Sequence, residues 1–405
     1  MAVNLPPLPV LHPVPGIRLG TTRAGMRKPD RRDLVLIECA PGCQAAAVFT
    51  RNRFCAAPVT VAQEHLAGRM PRALIINTGC ANAGTGVEGL SDARRSCEAV
   101  AAELGCDARE ILPFSTGVIG ERLPIDRLVA GLPGCVRALT EEGWSEAAHG
   151  IMTTDTQPKG SSRRLIISGK TVTVTGIAKG AGMICPNMAT MLAFVATDAA
   201  VPGAVLQQTL GRAANESFNR ISVDGDTSTN DACVLIASGK SGLAIGEAEG
   251  ATYEAFYAAV RDVLADLAQA IVRDAEGATK FITIDVEQGA SQDDCLEVAY
   301  TIAHSPLVKT AFFASDPNWG RILAAIGRAR LAQLDVDKVS IYLEDVCIVR
   351  NGARAAEYTE AQGQAVMSRP EIRMRIALGS GSARARLWTC DLSHDYVRIN
   401  AEYRT

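Results

Sequence analysis

Apolar positions along this chain recur with two periods, and the period separates its elements. Short apolar runs read as strands at Leu34–Cys39, Ala45–Phe49 and Ala73–Asn77. Arg164–Ser168 and Thr171–Ala178 read as a hairpin with Gly169 in its turn. Further strands are expected at Thr190–Thr197, near Ile221, and at Cys233–Ala237, Phe281–Val286, Val339–Leu343, Val346–Val349, Ile372–Leu378 and Ala383–Thr389. Helical spacing marks Ser91–Leu104, Ile125–Leu132, Ser145–Met152, Val205–Ser217, Tyr253–Val272, Leu307–Phe313 and Arg321–Arg328. Ser91 is the expected cap of the first of these, without a capping box, because Arg94 stands where an acid or amide is needed. The segment up to Asp30 is Pro-rich and irregular. Strands and helices alternate loosely and hairpins are common, so the expected class is α+β, a layered sandwich rather than one parallel sheet.

The most informative segment lies between two of these runs. Thr171–Ala178 and Thr190–Thr197 flank Lys179-Gly180-Ala181-Gly182-Met183-Ile184-Cys185-Pro186-Asn187-Met188-Ala189, a turn rich in Gly, Pro and Asn. Thr190 therefore opens an apolar strand just after a loop that can hold strain. There its hydroxyl could attack the carbonyl of Ala189, pass through an ester, and become a new N-terminus. The freed α-amine, with an ordinary pKa near ~7.7–8.0, is a general base at neutral pH. Hydroxyl and amine then form the Thr–N-terminus version of the nucleophile–base pair. Taken alone, a Thr at this place is an ordinary strand opener.

The wider pattern Lys-Gly-Ala-Gly-Met-Ile-x-Pro-Asn-Met-Ala-Thr-Met-Leu resembles the self-processing site of the ornithine acetyltransferase family, also called glutamate N-acetyltransferase. Matching segments run from Asn77 to Thr405. The resemblance implies a cytoplasmic enzyme of the cyclic arginine pathway that moves an acetyl group from N2-acetylornithine to glutamate through Thr190. It implies an αββα sandwich related to N-terminal nucleophile hydrolases. It also implies cleavage into an α chain, residues 1–189, and a β chain, residues 190–405, assembled as an (αβ)2 heterotetramer, and it implies no cofactor. No motif decides whether acetyl-CoA also serves as a donor.

Other segments gain meaning beside that resemblance. Phe114-Ser115-Thr116-Gly117-Val118-Ile119-Gly120 reads as a short polar turn whose Thr hydroxyl and Gly amide can converge on one oxygen. Acyl transfer needs such donors for the tetrahedral oxyanion, each worth roughly 3–4 kcal/mol. Thr116 and Gly117 match the family's oxyanion hole. Thr153, Lys179, Glu276, Asn400 and Thr405 match its substrate contacts. Without the family they would read as a polar loop, a solvated lysine, a helix terminus and a frayed chain end. The family more often has Gly where this chain has Ala275, a departure that leaves Glu276 in register.

Composition narrows the alternatives. A net charge of −3 and a pI of about 6.0 favour neither nucleic acid nor an anionic membrane. Five scattered histidines lack metal-ligand spacing. Twelve cysteines without a Cys-x-x-Cys read as reduced, mostly buried thiols of a cytosolic protein, and no run of about twenty apolar residues predicts a membrane span. Val223–Asp231 is acidic, but Thr229 and Leu235 occupy the positions where a calcium loop needs Gly and Glu. Asp316-Pro317-Asn318-Trp319 reads as a turn and helix start. Gly84-Thr85-Gly86-Val87-Glu88-Gly89 spells a dinucleotide fingerprint, yet it begins well past the strand's end and no strand-terminal acid follows. The competing enzyme reading is an N-terminal-threonine amidohydrolase or aminopeptidase, with water as acceptor.

Overall fold

The computed structural model describes residues 2–27, 30–185 and 191–402. The chain opens with β1 (Ile17–Thr22), β2 (Leu34–Cys39), β3 (Gln44–Phe49), α1 (Ala57–Gly68), β4 (Ala73–Cys80) and α2 (Gly86–Leu104). It continues through β5 (Ile111–Val118), α3 (Ile125–Arg137), α4 (Trp144–Gly150), β6 (Lys159–Ile167), β7 (Lys170–Lys179) and β8 (Leu192–Thr197). Next come α5 (Gly203–Glu216), β9 (Ile221–Ser222), β10 (Ala232–Ala237), α6 (Gly250–Arg273), β11 (Phe281–Gly289), α7 (Gln292–Ala303), α8 (Pro306–Phe313) and α9 (Trp319–Gly327). It closes with β12 (Ser340–Leu343), β13 (Val346–Arg350), β14 (Ala353–Arg354), α10 (Glu360–Met367), β15 (Glu371–Ala377), β16 (Ala383–Cys390) and α11 (His394–Ala401).

Residue parity builds the expected αββα sandwich. The first sheet has the order β1-β2-β4-β5 and the second β3-β10-β8-β7-β6. In β2, Val35 and Ile37 point toward the second sheet, where Leu192, Phe194, Val234 and Ile236 meet them. Leu34 and Leu36 point the other way and pack with α1, α2 and α3. The second sheet does the same in mirror image. Ala193, Val195, Cys233 and Leu235 face α5 and α6, with Phe256, Val260, Val263, Leu264 and Leu267 on the helix side. A period of two along each strand therefore yields two helix-covered faces and one sheet-on-sheet core.

The sequence reading has no counterpart for the third sheet, of order β14-β13-β12-β15-β11-β16-β9. It has its own core, in which Ile282, Ile284, Met374 and Leu387 pack with α7, α8, α9 and α10. Parallel pairing of β9 with β16 ties it to the sandwich.

Several boundaries differ from the sequence expectation. The second helix begins at Gly86, with Thr85 at its cap and no side-chain cap bond, so Ser91 lies inside it. The segment from Phe114 is not a turn: β5 runs through it to Val118. The Pro-rich start holds β1, and α1, α7 and α10 were not foreseen. The hairpin is as expected, with Ser168 and Gly169 both left-handed at its turn. Asn318 caps α9 through the Arg321 amide, as the turn reading requires. None of the twelve cysteines is in a disulfide, and most are buried. No helix among the described residues is long and apolar enough to cross a membrane.

Phe194 of β8 meets Phe114 of β5 edge-on, with ring centroids 5.2 Å apart. Phe194 is fully buried in the sheet-on-sheet core. Phe194→Ala is therefore expected to lower stability by about 3–5 kcal/mol, read from urea unfolding. A loss under about 1 kcal/mol would mean that this contact does not hold the sheets together.

Candidate active site

The sheet-on-sheet geometry brings one end of β5 over the start of β8. Leu112, Phe114 and Thr116 share the face of β5 that meets the second sheet, and Thr116 lies one step beyond the Phe114–Phe194 contact. Gly117 follows in a left-handed conformation (φ 137°), beside a register shift in β4 at Gly79 and Cys80. A Cβ on Gly117 would stand 2.3 Å from the backbone carbon of Gly79. Only glycine lets β5 approach β4 this closely, and this sets the direction of the backbone at 117. Asn230 fixes the same end, donating to the carbonyls of Ala81 (2.6 Å) and Ser115 (3.0 Å).

A cavity of about 270 Å3 opens there, between the two sheets. Thr116, Gly117, Thr153, Lys179, Glu276 and Asn400 all line it. Six residues chosen from the sequence, spread over five separate segments, thus converge. Ala189, Thr190 and Thr405 lie outside the described residues. Lys179, the last residue of β7, stands directly opposite Leu192, the first of β8.

Charge under the cavity is tightly paired. Lys159 is buried and bridges Asp155 (2.6 Å) and Asp274 (2.7 Å). Asp155 also accepts from the amides of Thr153 (2.8 Å) and Gly180 (2.8 Å). One carboxylate thus fixes both Thr153 and the chain leaving β7. Burial pushes the Asp155 carboxyl up, but Lys159 and Lys179 outweigh it and hold the group below the usual carboxylate range. Burial pushes the Lys179 ammonium down, with Asp155, Asp231 and Glu276 pulling it back. Among the described residues the Lys179 ammonium has no hydrogen-bond or ion-pair partner, so its donors are available to a ligand.

The opposite wall comes from the chain's last helix. Asn400 of α11 donates to Glu276 Oε2 at 2.8 Å, and the Glu276 amide donates to Ala181 at 2.9 Å. A Cβ on Gly182 would meet Glu276 Oε2 at 2.5 Å, so the second Gly of Gly180-Ala181-Gly182 makes room for this carboxylate. The Ser393 hydroxyl donates to Gly277 at 2.6 Å and docks the start of α11 beside the same turn.

The loop that continues from Gly182 is clamped. Met183 is left-handed (φ 54°), a conformation a non-glycine residue adopts at a cost of about 1–3 kcal/mol. Asp224 holds it there, accepting from the amides of Met183 (2.6 Å) and Ile184 (2.9 Å). Tyr396 of α11 donates to Asp224 at 3.2 Å. Cys185 contacts His304 Nε2 at 3.4 Å, His304 contacts Ser222 at 2.9 Å, and burial pushes the Cys185 thiol up to about 11.

Asp155, Asp224, Asn230 and Asp231 are the site residues the sequence reading did not single out. The pair Asp155 and Lys159, four apart beside an apolar run, was the available signal. In the acidic run at 224–231, Asp224 serves the loop and Asp231 lines the cavity. Among the described residues no group of three His, Cys, Asp or Glu could hold a metal. The glycine-rich segment at 84–89 folds on itself. Thr85 donates to Asn82, and Asn82 donates to the Gly89 carbonyl, 2.8 and 2.9 Å.

A model of the ArgJ family matches residues 18–405. The arginine biosynthesis bifunctional protein ArgJ of Methylococcus capsulatus is 63% identical, over 98% of this chain and 97% of its own length. The protein of that name from Pseudomonas syringae pv. tomato is 57% identical over the whole of both chains. The crystal structure of arginine biosynthesis bifunctional protein argJ from Bacillus halodurans superposes with a TM-score of 0.50 at 37% identity, covering 52% of this chain and 99% of its own.

Lys159→Met would leave two buried carboxylates without their shared cation. The expected loss is about 3–5 kcal/mol at pH 7 in urea unfolding. The penalty should shrink below about pH 4, where carboxylates take up protons in the unfolded chain too. In the wild type the sign is opposite. The Asp155 contribution is full above its unfolded pKa and is lost as pH falls through its lowered folded value. A variant equally destabilised at pH 7 and pH 3 would show that the charge pairing is not the cause.

Proposed function

The chain belongs to the ArgJ family, and from that premise we propose that it cuts itself between Ala189 and Thr190 and then transfers acetyl groups through Thr190. The observation that carries the reading is the cavity at the start of β8, where Thr116, Gly117, Thr153, Lys179, Glu276 and Asn400 meet beside the segment that holds Thr190.

In the first step the Thr190 hydroxyl adds to the Ala189 carbonyl, the peptide bond becomes an ester, and water hydrolyses it. This leaves an Ala189 carboxylate and a free α-amine on Thr190. In the second, Thr190 attacks the acetyl carbonyl of N2-acetylornithine while its α-amine takes the hydroxyl proton. Thr116 and Gly117 donate to the oxyanion, ornithine leaves with the returned proton, and an acetyl-Thr190 ester remains. The α-amine of glutamate then attacks that ester and departs as N-acetylglutamate. Lys179 and Glu276 give the pocket one cation and one anion, which suits substrates with a shared amino-acid head and oppositely charged tails. Thr153, Asn400 and Thr405 complete the substrate contacts.

Three features support this reading. Met183 is strained and held by Asp224, upstream of the bond to be cut. The α and β fragments would share one sheet, because β8 and β10 lie between β3 and β7. A cut between β7 and β8 therefore leaves the pieces locked as an αβ pair, two of which form the (αβ)2 assembly. The solved Bacillus halodurans chain aligns almost whole yet covers 52% of this one, the size that one fragment of such a cut would have. The relatives are named bifunctional, and the proposal includes acetyl-CoA as a second donor to the same Thr190, in the cytoplasm. The family match does not favour the amidohydrolase alternative.

Intact-mass measurement tests the first step. Wild-type protein is expected as two fragments, and Thr190→Ala as one chain. Cleavage of that variant would remove Thr190 from the reaction. For the second step, acetylornithine alone should add one acetyl mass to the fragment beginning at Thr190, and glutamate should discharge it as N-acetylglutamate. Acetyl-CoA should load the same fragment. Parallel double-reciprocal lines are expected. Converging lines with no acetylated fragment would mean direct transfer between bound substrates, and discharge without glutamate would restore the hydrolase reading.

A further inference from the structure

One face of the third sheet carries charge that the mechanism above does not use. Along β11, β15 and β16 one parity is apolar, and Ile282, Ile284, Met374 and Leu387 pack there with α7 to α10. The other parity places Asp285, Arg373, Arg384, Arg386 and Trp388 on the opposite face. Across the register Asp285 stands opposite Arg386, and Glu287 opposite Arg384. Trp388 packs against the core of the sandwich, so this face is covered at one end, while Arg384 and Arg386 stay exposed. A cleft of about 530 Å3 lies between it and the sandwich helices α5 and α6. Five arginines and three carboxylates line the cleft, and it shares no lining residue with the cavity at the start of β8.

The carboxylates are already paired. Asp285 accepts from Arg373 Nε at 2.6 Å, from Arg386 Nε at 2.6 Å and from Arg386 Nη2 at 3.0 Å. Burial pushes the Asp285 carboxyl up, but these two arginines outweigh it and hold the group below the usual carboxylate range. Glu287 pairs with Arg375 at 2.9 Å, and Glu216 lies 3.9 Å from Arg212.

Two of the arginines have no anion. Arg384 is exposed and has no hydrogen-bond or ion-pair partner among the described residues. Arg220 is partly buried, and its Nε donates to the Asn215 carbonyl at 2.7 Å. Its Nη1 is shut off from solvent without a partner. Burial pushes the Arg220 guanidinium down, with Tyr300 and Glu216 pulling it back, and a guanidinium in a protein stays charged all the same. A charge drawn partly out of water and left unpaired is unfavourable until an anion approaches it.

We propose that this cleft binds a small polyanion, one that presents two or more phosphate or carboxylate groups. The lining holds two more arginines than carboxylates, so a monoanion would leave one charge uncompensated. Arg220 comes from the sandwich and Arg384 from the sheet, so the ligand bridges the two bodies. Arg373 and Arg386 give Asp285 only part of their donors, and the remaining N–H groups of each planar fork suit phosphate or carboxylate oxygens. Trp388 supplies an apolar wall. The volume is that of a small-molecule site. Glu216, Asp285 and Glu287, set among the arginines, repel a long polymer of uniform negative charge. The inference holds whether or not the chain cuts itself.

Titration calorimetry of the whole purified protein, with pyrophosphate and with citrate as probes, tests the proposal. At least one probe is expected to bind at low salt with a Kd below about 1 mM, and to bind more weakly as KCl is added. Binding of pyrophosphate alone makes the ligand a phosphate compound, binding of citrate alone a polycarboxylate, and binding of both shows that charge suffices. Arg384→Gln changes an exposed side chain without partners, so the fold is kept, and its Kd should rise about tenfold. Arg384→Glu should weaken binding further. Arg220→Met should weaken binding by a similar factor, and Arg220→Lys should recover part of it, since the charge returns without the fork. Lys179→Met, which removes the cation of the other cavity, should leave the Kd within about twofold. No binding of either probe up to about 10 mM overturns the proposal, as does undiminished affinity in Arg384→Gln or in Arg220→Met. Loss of binding in Lys179→Met also overturns it, because the anion would then sit in the cavity at the start of β8.

Discussion

The pairing of β7 with β8 is the constraint on which the rest depends. These strands are hydrogen-bonded neighbours in the middle of the second sheet, with Lys179 opposite Leu192. An ordinary hairpin joins such strands with roughly two to five residues, whereas here residues 180–191 intervene. Phe194 and its neighbours on β8 are buried on both faces of the sheet. Residues 180–185 leave from the end of β7, close to where β5 of the first sheet carries Thr116 and Gly117. Pairing in one sheet and packing against the other therefore fix one point, and the cavity forms at that point.

That placement explains why the surroundings carry so much charge at so little exposure. The segment 180–185 belongs to no strand, so no backbone ladder holds it. Its anchors come from outside: Asp155 on Gly180, Asp224 on Met183 and Ile184, and Glu276 beside Gly182. Each carboxylate is itself held, by Lys159, Tyr396 or Asn400. Ion pairs at this depth do little for net stability, because desolvation offsets attraction. Their effect here is directional, since a charged acceptor fixes amides that would otherwise turn toward solvent.

Much of this was legible in the residues, and the failures have causes. Sheet-core strands such as Leu34–Cys39 and Cys233–Ala237 are continuous apolar runs, and burial on both faces demands such runs. The start of α2 was not legible. Gly86, an exposed Val87 and Gly89 carry no apolar stripe, so the periodic signal begins only near Ser91. Helix α1 opens Ala-Pro-Val-Thr-Val, whose β-branched residues speak for a strand, and packing against β5 overrides them. The third sheet was missed as a sheet although most of its strands were found. Its order joins β11 to β15 and β16 across roughly a hundred residues, and no local pattern encodes that pairing. At the site, Thr116, Gly117, Thr153, Lys179, Glu276 and Asn400 came from the family resemblance, not from periodicity. Asp231 escaped both, because a single acid before an apolar strand carries no spacing signal.

Strain and clamp at the loop must also be weighed together. Met183 adopts its left-handed conformation at a cost of about 1–3 kcal/mol. Two charge-assisted hydrogen bonds from the Met183 and Ile184 amides to Asp224 return about 1.5–3 kcal/mol each, so the clamp can hold the strained form in the ground state. Asp224 is in turn tied to Tyr396, and α11 also delivers Asn400 to Glu276. The strained loop and the pocket wall are thus fastened by one helix at the very end of the chain. Loss of α11 would therefore loosen both at once, the Asp224 clamp through Tyr396 and the pocket wall through Asn400.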